Sequence, residues 1–375
     1  MPSRRAAHDA EPNALTRALA ARRAAGLPVL DLTVSNPTSA DLPYAREAIL
    51  GALADPAALA YEPAALGLSS ARAAVARMEG TTAERVALTA STSEAYANVL
   101  KLFCDPGDEV LVPAPSYPLF GPLATFEGAV PVAYRLAYDG AWHVDLASLR
   151  AARTERARAI FVVSPNNPTG SVLSQLELDA MAELELPIVI DEVFAPYLFA
   201  PRPRASAARA LTLRLGGLSK LAALPQLKLA WTVVDGPAAR VDEVMRGLEW
   251  ISDAYLSCGA PVQHALPRLL EASALTRDAI RARTRRNLDA LRAAAAGTAL
   301  TVLDVEGGWY ACVRLPGTRT EEAWCLELLD RGLLVHPGHF FDFDREAFAV
   351  VSLLTRPDEL DRGVATLTDA VHRLS

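Results

Sequence analysis

The chain has 375 residues, 51% of them apolar and 22% charged, and its 37 Lys and Arg against 44 Asp and Glu give a formal net charge of −7. A chain this apolar buries enough surface to offset its ordering entropy, so intrinsic disorder is excluded. The acidic balance excludes the basic footprint of a nucleic-acid binder, and no apolar run is long enough to span a bilayer.

In chain order, Met1–Asn13 carries two arginines with no apolar core behind them, so a secretory leader is not expected. Ala14–Ala25 reads as a helix ended by Gly26-Leu27-Pro28, and Val29–Val34 as a short strand running into Ser35-Asn36-Pro37-Thr38. Alanine-rich helices follow at Ala45–Ala54 and Ser69–Met78. From residue 85 short β-rich runs alternate with longer helical stretches: Val86–Thr89, Glu109–Val112, Ala159–Val163, Ile188–Ile190, Leu211–Leu215 and Ala230–Val234. This alternation predicts an α/β fold, a mostly parallel sheet sandwiched by helices, with ligands at the carboxyl ends of the strands. A long helical region spans Arg240–Ala296, with breaks near Cys258-Gly259-Ala260-Pro261 and Ala274. Its Arg281, Arg283, Arg285 and Arg286 read as a solvated helix face. After Gly297, strands at Leu300–Val305, Trp309–Leu315, Leu333–Val335 and Ala349–Leu353 alternate with helices at Thr320–Asp330 and from Pro357. The predicted organisation is an N-terminal segment, 1–40, packing with a small α+β domain, 271–375, beside a large domain, 41–270. Cys104, Cys258, Cys312 and Cys325 form no C-x-x-C pair and read as free thiols in a reducing, cytoplasmic compartment.

Four polar clusters fall just after predicted strands. Thr89-Ala90-Ser91-Thr92-Ser93-Glu94 is a hydroxyl-rich strand-to-helix junction, and free N–H groups at a helix start bind anions. Ser164-Pro165-Asn166-Asn167-Pro168-Thr169-Gly170 is a turn carrying two amide side chains. Asp191-Glu192-Val193-Phe194 puts a carboxylate at the end of an apolar strand, where it needs a cationic partner. Gly216-Gly217-Leu218-Ser219-Lys220 supplies an amine. Each cluster alone reads as a turn, a cap or noise; an anion cradle, an amide turn, a buried acid and a lysine in this order read as a site.

The combination resembles the aspartate-aminotransferase superfamily of pyridoxal-phosphate enzymes, fold type I, class I/II. The resemblance rests on Tyr61-x5-Gly67-Leu68, Pro115-Ser116-Tyr117-Pro118, Asn167-Pro168-Thr169-Gly170, Asp191-Glu192-Val193-Phe194 and Ser219-Lys220-x4-Pro225, and covers the chain from about Leu30 onward. Leu32-Thr33-Val34-Ser35-Asn36-Pro37-Thr38 and Gly216-Gly217-Leu218 look most like the tyrosine- and alanine-aminotransferase branches. It implies pyridoxal 5'-phosphate held as a Schiff base on Lys220, whose freed amine then shuttles a proton. It implies Asp191 on the pyridine nitrogen, Asn167 on the ring's 3-oxygen, Tyr117 stacked on the ring, and Ser91, Thr92 and Ser219 on the phosphate. Lys228 would add a charge there, and Tyr61 would reach the phosphate of the other subunit of a homodimer. No metal is implied; His336 and His339, three apart in a turn, lack a third ligand nearby.

The departures are specific. Lys228 stands where the family usually has arginine, Gly217 where many members place a serine, and Phe194 where a tyrosine usually donates to the 3-oxygen. Val350 stands at the position of the arginine that clamps the substrate carboxylate, and Arg356, six residues on, is the candidate substitute, with Asn36 and Asn167 as supporting donors. Trp309, after Gly307-Gly308, reads equally as a pocket wall or a core aromatic. The expected reaction is ping-pong transfer from an amino donor to a 2-oxo acid. A β-eliminating lyase or cyclising synthase on the same scaffold is the alternative enzyme. A cofactor-binding regulatory module is the alternative of another class, but the resemblance leaves no room ahead of it for a DNA-binding helix-turn-helix.

Overall fold

The computed structural model describes residues 3, 5, 6, 11–207, 209–344 and 347–374. The leader reading of Met1–Asn13 falls in part outside the described residues. Asn13 caps α1 (Ala14–Ala24), its side chain accepting from the Thr16 N–H. The strand predicted at Val29–Val34 shrinks to β1 (Leu30–Asp31), because Asp31 folds back to accept from the Thr33 N–H and ends the extended run. Next come α2 (Arg46–Leu53) and α3 (Ser69–Glu79), the latter closed by Gly80 at φ +71°.

The large sheet then begins. Its strands are β2 (Val86–Thr89), β3 (Glu109–Ala114), β4 (Val130–Tyr138), β5 (Trp142–Val144), β6 (Ala157–Val163), β7 (Ile188–Asp191), β8 (Thr212–Gly217) and β9 (Ala230–Asp235). Between them run α4 (Thr92–Phe103), α5 (Phe120–Phe126), α6 (Leu146–Ala152), α7 (Gln175–Ala182) and the single turn α8 (Leu218–Leu221). The strand order is β2-β9-β8-β7-β6-β3-β4-β5; the pairs from β8 through β4 are parallel, and β2–β9, β8–β9 and β4–β5 are antiparallel. The β4–β5 hairpin at one edge was not legible as strands, since its β4 is amphipathic and half-exposed rather than an apolar run.

Side chains of β7 alternate between layers, as the period of two requires. Val189 packs with Tyr96, Val99 and Leu100 of α4 and with Val241 and Leu248, whereas Ile188 and Ile190 pack with Leu149, Leu178 and Met181 of α6 and α7. By the same alternation Asp191 faces the α4 layer and Glu192 the other.

The predicted long helical region is three helices: α9 (Ala238–Asp253), α10 (Ala260–Ala272) and α11 (Ala274–Ala295), broken at the two predicted places. Three arginines of its run, Arg281, Arg285 and Arg286, are exposed as expected and Arg283 is half-buried, but all four are tied down. Arg281 donates to Pro196 O, Arg283 to the carbonyls of Ala40, Asp41 and Leu354, Arg285 to Phe199 O, and Arg286 pairs with Asp361. Carbonyls left free at chain turns supplied partners that charge periodicity cannot show.

The rest of the chain adds β10 (Thr301–Val302), β11 (Tyr310–Arg314), α12 (Glu321–Asp330), β12 (Leu333–Leu334), β13 (His336–Pro337), β14 (Phe348–Ser352) and α13 (Pro357–Leu374). Strands β10-β11-β14-β13 form an antiparallel sheet, and β1 pairs in parallel with β12. Leu15 and Leu32 are buried with Leu288, Leu291, Trp324 and Leu367, so the N-terminal segment shares a core with the C-terminal elements.

Candidate active site

Register brings the four polar clusters to one edge. Val163 of β6 lies opposite Asp191 of β7, and Asp191 opposite Leu215 of β8. On the other side Gly217 pairs with Ala230, which pairs with Thr89. The Asn166-Asn167 turn, Asp191, the Ser219-Lys220 turn and the start of α4 therefore issue from neighbouring strand ends. Lys228, left-handed at φ +52° and exposed, enters the same row two residues before Ala230. Gly216 has no room for a side chain: a Cβ there would sit 2.5 Å from Trp231 Nε1.

Asp191 is buried. Its Oδ1 accepts from the Val193 N–H at 3.0 Å and its Oδ2 from Tyr96 Oη at 2.9 Å. Burial pushes its carboxyl up to about 6, against the two donors and the Lys220 charge. Lys220 shows the converse: burial lowers its ammonium and Asp191 opposes the shift. Its Nζ lies 5.2 Å from the centre of the Trp309 ring and 5.8 Å from that of Phe194, inside cation–π range. Trp309 is fully buried against Phe194 and Tyr197, so it is both a core aromatic and a wall beside Lys220. Phe194, also buried, presents no hydroxyl.

Ser91 caps α4, its Oγ accepting from the Glu94 N–H at 3.1 Å, while Glu94 Oε2 accepts from the Ala90 N–H at 2.6 Å. Thr92 is the first residue of the helix, and Ser219 is half-buried in α8. Asn166 is locked, donating to Pro115 O and Thr169 Oγ1 and accepting from Ser116. Asn167 is the opposite: its amide oxygen is sealed from solvent and has no partner. Tyr117 is half-buried; its phenol is raised by burial and by Asp191, and Ser93 lies in hydrogen-bond reach.

The remaining predicted residues make no side-chain hydrogen bond to this group among the described residues. Tyr61 is 81% exposed and lines a cavity of about 260 Å³ with Leu256, Cys258 and His264. Asn36 is exposed, its Oδ1 occupied by Thr38. Val350 is fully buried in a cluster with Phe194, Trp309, Tyr310 and Cys312, while its neighbours Ala349 and Val351 face the other core. Arg356 lies in the loop after β14, half-exposed, with Nε 3.3 Å from Asp358. His339 spends its backbone N–H and Nδ1 on Glu321, and no group of three metal-ligating side chains occurs among the described residues. Tyr96 was missed. Among Ala95, Val99 and Leu100 it reads as one more core residue of an apolar helix face.

Residues 28–367 match the family model described as aminotransferase class I and II. The chain is 30% identical over 260 residues to glutamate-pyruvate aminotransferase AlaA of Escherichia coli, spanning 65% of this chain and 64% of that one. It is 32% identical over 264 residues to alanine aminotransferase of Mycobacterium tuberculosis, spanning 65% and 60%. The match thus spans less than two thirds of the length of these relatives. Among solved structures, alanine aminotransferase from Pyrococcus furiosus superposes with a TM-score of 0.88 at 22% identity over the full length of both chains. N-succinyldiaminopimelate aminotransferase from M. tuberculosis does so with a TM-score of 0.78 at 27% identity, over 94% of this chain and 95% of that one.

Proposed function

The chain belongs to the class I and II aminotransferase family, and on that premise we propose that it is a pyridoxal-phosphate-dependent enzyme moving an amino group from an amino donor to a 2-oxo acid. The observation that carries this reading is the convergence of Lys220, Asp191, Asn167 and the start of α4 on one row of strand ends. The donor set fits the cofactor. An amine lowered by burial, the Asn167 amide, whose oxygen the fold leaves unpartnered and whose NH2 can donate, a buried acid and a helix N-terminus suit its aldehyde, 3-oxygen, ring nitrogen and phosphate.

When bound, pyridoxal phosphate supplies an aldehyde for the amino group and a ring that stores the electron pair released at the donor's α-carbon. Lys220, its ammonium made acidic by burial, takes and returns the proton at Nζ. Asp191 holds negative charge against the ring nitrogen. Ser91, Thr92, Ser219 and Lys228 hold the phosphate, and Tyr117 covers the ring. Phe194 and Trp309 exclude water around Nζ.

The donor carboxylate is assigned to Arg356, with Asn36 and Asn167 in support. Val350 offers no charge, and among the described residues the Arg356 side chain is paired with an exposed Asp358. The working form is a homodimer completed by Tyr61; Leu59, Tyr61, Trp250 and Tyr255 are large apolar side chains left 61–93% exposed, which a second copy would cover. The N-terminal segment, assigned to 1–40, packs with the small domain, 271–375, beside the large domain, 41–270, a division that the shared core of Leu15, Leu32 and Trp324 supports. Four free cysteines favour a cytoplasmic location.

The test is a panel of amino donors added to the cofactor-loaded protein, followed by 2-oxo acids. Donor-dependent loss of cofactor absorbance, restored by an oxo acid, is the expected result. Turnover that releases ammonia without an acceptor makes the chain a lyase, and binding with no turnover makes it a regulatory module.

A further inference from the structure

Resting on that assignment of Asp191 to the ring nitrogen, we propose that Tyr96 is the positioning residue that keeps Asp191 ionised and fixes its orientation. Asp191 sits where burial disfavours its charge, and among the described residues two protein donors meet its oxygens: the Val193 N–H at 3.0 Å on Oδ1 and Tyr96 Oη at 2.9 Å on Oδ2. The first is backbone of Asp191's own turn and tracks it rigidly. The second comes from another element and is set independently.

Tyr96 cannot drift. It is 1% exposed, its ring stacked on Phe161 at 5.4 Å and edge-on to Phe120 at 5.5 Å. Burial and the adjacent carboxylate push its phenol well above the usual range, so the hydroxyl stays protonated and donates. Tyr96 also stands five residues after Ser91, on the helix whose first turn faces the row of strand ends. One rigid helix thereby holds both the proposed phosphate cradle and the second oxygen of the acid, and sets the spacing between them.

The charged and titratable groups around Asp191 are few. Lys220 faces it from α8, Tyr117 from the loop after β3 and Tyr96 from α4. Glu192 follows it on the opposite face, between Arg204 at 3.3 Å and Arg214 at 3.8 Å. Lys220 favours the charged form, and Glu192 disfavours it. Tyr96 is the only side-chain hydrogen-bond donor to Asp191 among the described residues.

The experiment is Tyr96→Phe in the full chain, read first without cofactor. The Asp191 carboxyl is titrated by infrared difference against Asp191→Asn. Loss of a hydrogen bond to a buried charge should move its midpoint upward by about 1–2 pH units. Incorporation of 3,5-difluorotyrosine at position 96, a stronger donor of nearly the same shape, should move it downward; this arm decides the matter where Tyr96→Phe does not fold. In the loaded enzyme the acid-side limb of the kcat–pH profile should move the same way. An unmoved carboxyl midpoint overturns the role of Tyr96 and leaves the aminotransferase reading intact. A moved midpoint with an unmoved profile overturns the link to catalysis and counts against Asp191 as the ring-nitrogen acid.

Discussion

Asp191 should cost the cofactor-free protein stability, and replacing it should recover that stability. Its carboxyl is raised from 3.8 to about 6 in the folded chain, chiefly by burial. An acid raised on folding carries no penalty below pH ~4, where it is protonated in both states. The penalty grows as pH climbs from ~4 to ~6 and is complete above that. The shift of about 2 units corresponds to roughly 3 kcal/mol at pH 8. Asp191→Asn keeps the shape and removes the charge: the amide oxygen can still accept from Val193, and the Tyr96 hydroxyl can turn to accept from the amide nitrogen. Urea unfolding of both cofactor-free chains, followed by circular dichroism at fixed protein concentration, measures the difference. The variant should be more stable by ~1–3 kcal/mol at pH 8, and the gap should close towards pH 4. A gap that is absent at pH 8, or that does not change with pH, would refute the claim that burial burdens this carboxylate. The same variant should keep the cofactor and lose roughly 10²–10⁴-fold in turnover. Such an opposition between stability and rate is the signature of a strained functional group.

The other expectations are simpler. Lys220→Ala should abolish turnover and leave the cofactor bound non-covalently; borohydride reduction and peptide mapping of the wild type would sink the assignment by labelling another lysine. Arg356→Ala should raise the KM for an amino-acid donor by roughly 10²-fold, the scale of a lost charge-assisted pair; an unchanged KM moves the carboxylate elsewhere or points to an amine substrate. Gly170→Ala should destabilise the chain by more than ~2 kcal/mol, because φ is +71° and the new Cβ would sit 2.5 Å from Val305 Cγ1 and 2.7 Å from Gly307 O. Thermal unfolding within a degree of wild type would contradict that.

The sequence by itself determined the elements whose patterns are local. Buried parallel strands are short, continuous apolar runs, so Val86–Thr89 and Ile188–Asp191 were legible to within a residue. The helix break at Gly259-Ala260-Pro261 was legible because Gly and Pro act on their own backbone, whereas the break before Ala274 falls at Ser273 with neither, and Pro267 lies inside α10 without ending it. The four polar clusters were legible because each follows a strand, and the order of strands along the chain was enough to place them at carboxyl ends. What tertiary structure decided is everything that depends on a partner distant in the chain. Leu30–Asp31 is a strand only as far as Leu333–Leu334 pairs with it. Arg281, Arg283 and Arg285 are fasteners as well as surface residues because free carbonyls come to meet them. Tyr96 became part of the candidate site only when register set Asp191 on the α4 side of the sheet, 95 residues from the hydroxyl that donates to it. Periodicity encodes which face of an element is buried; it carries no record of what lies across the core.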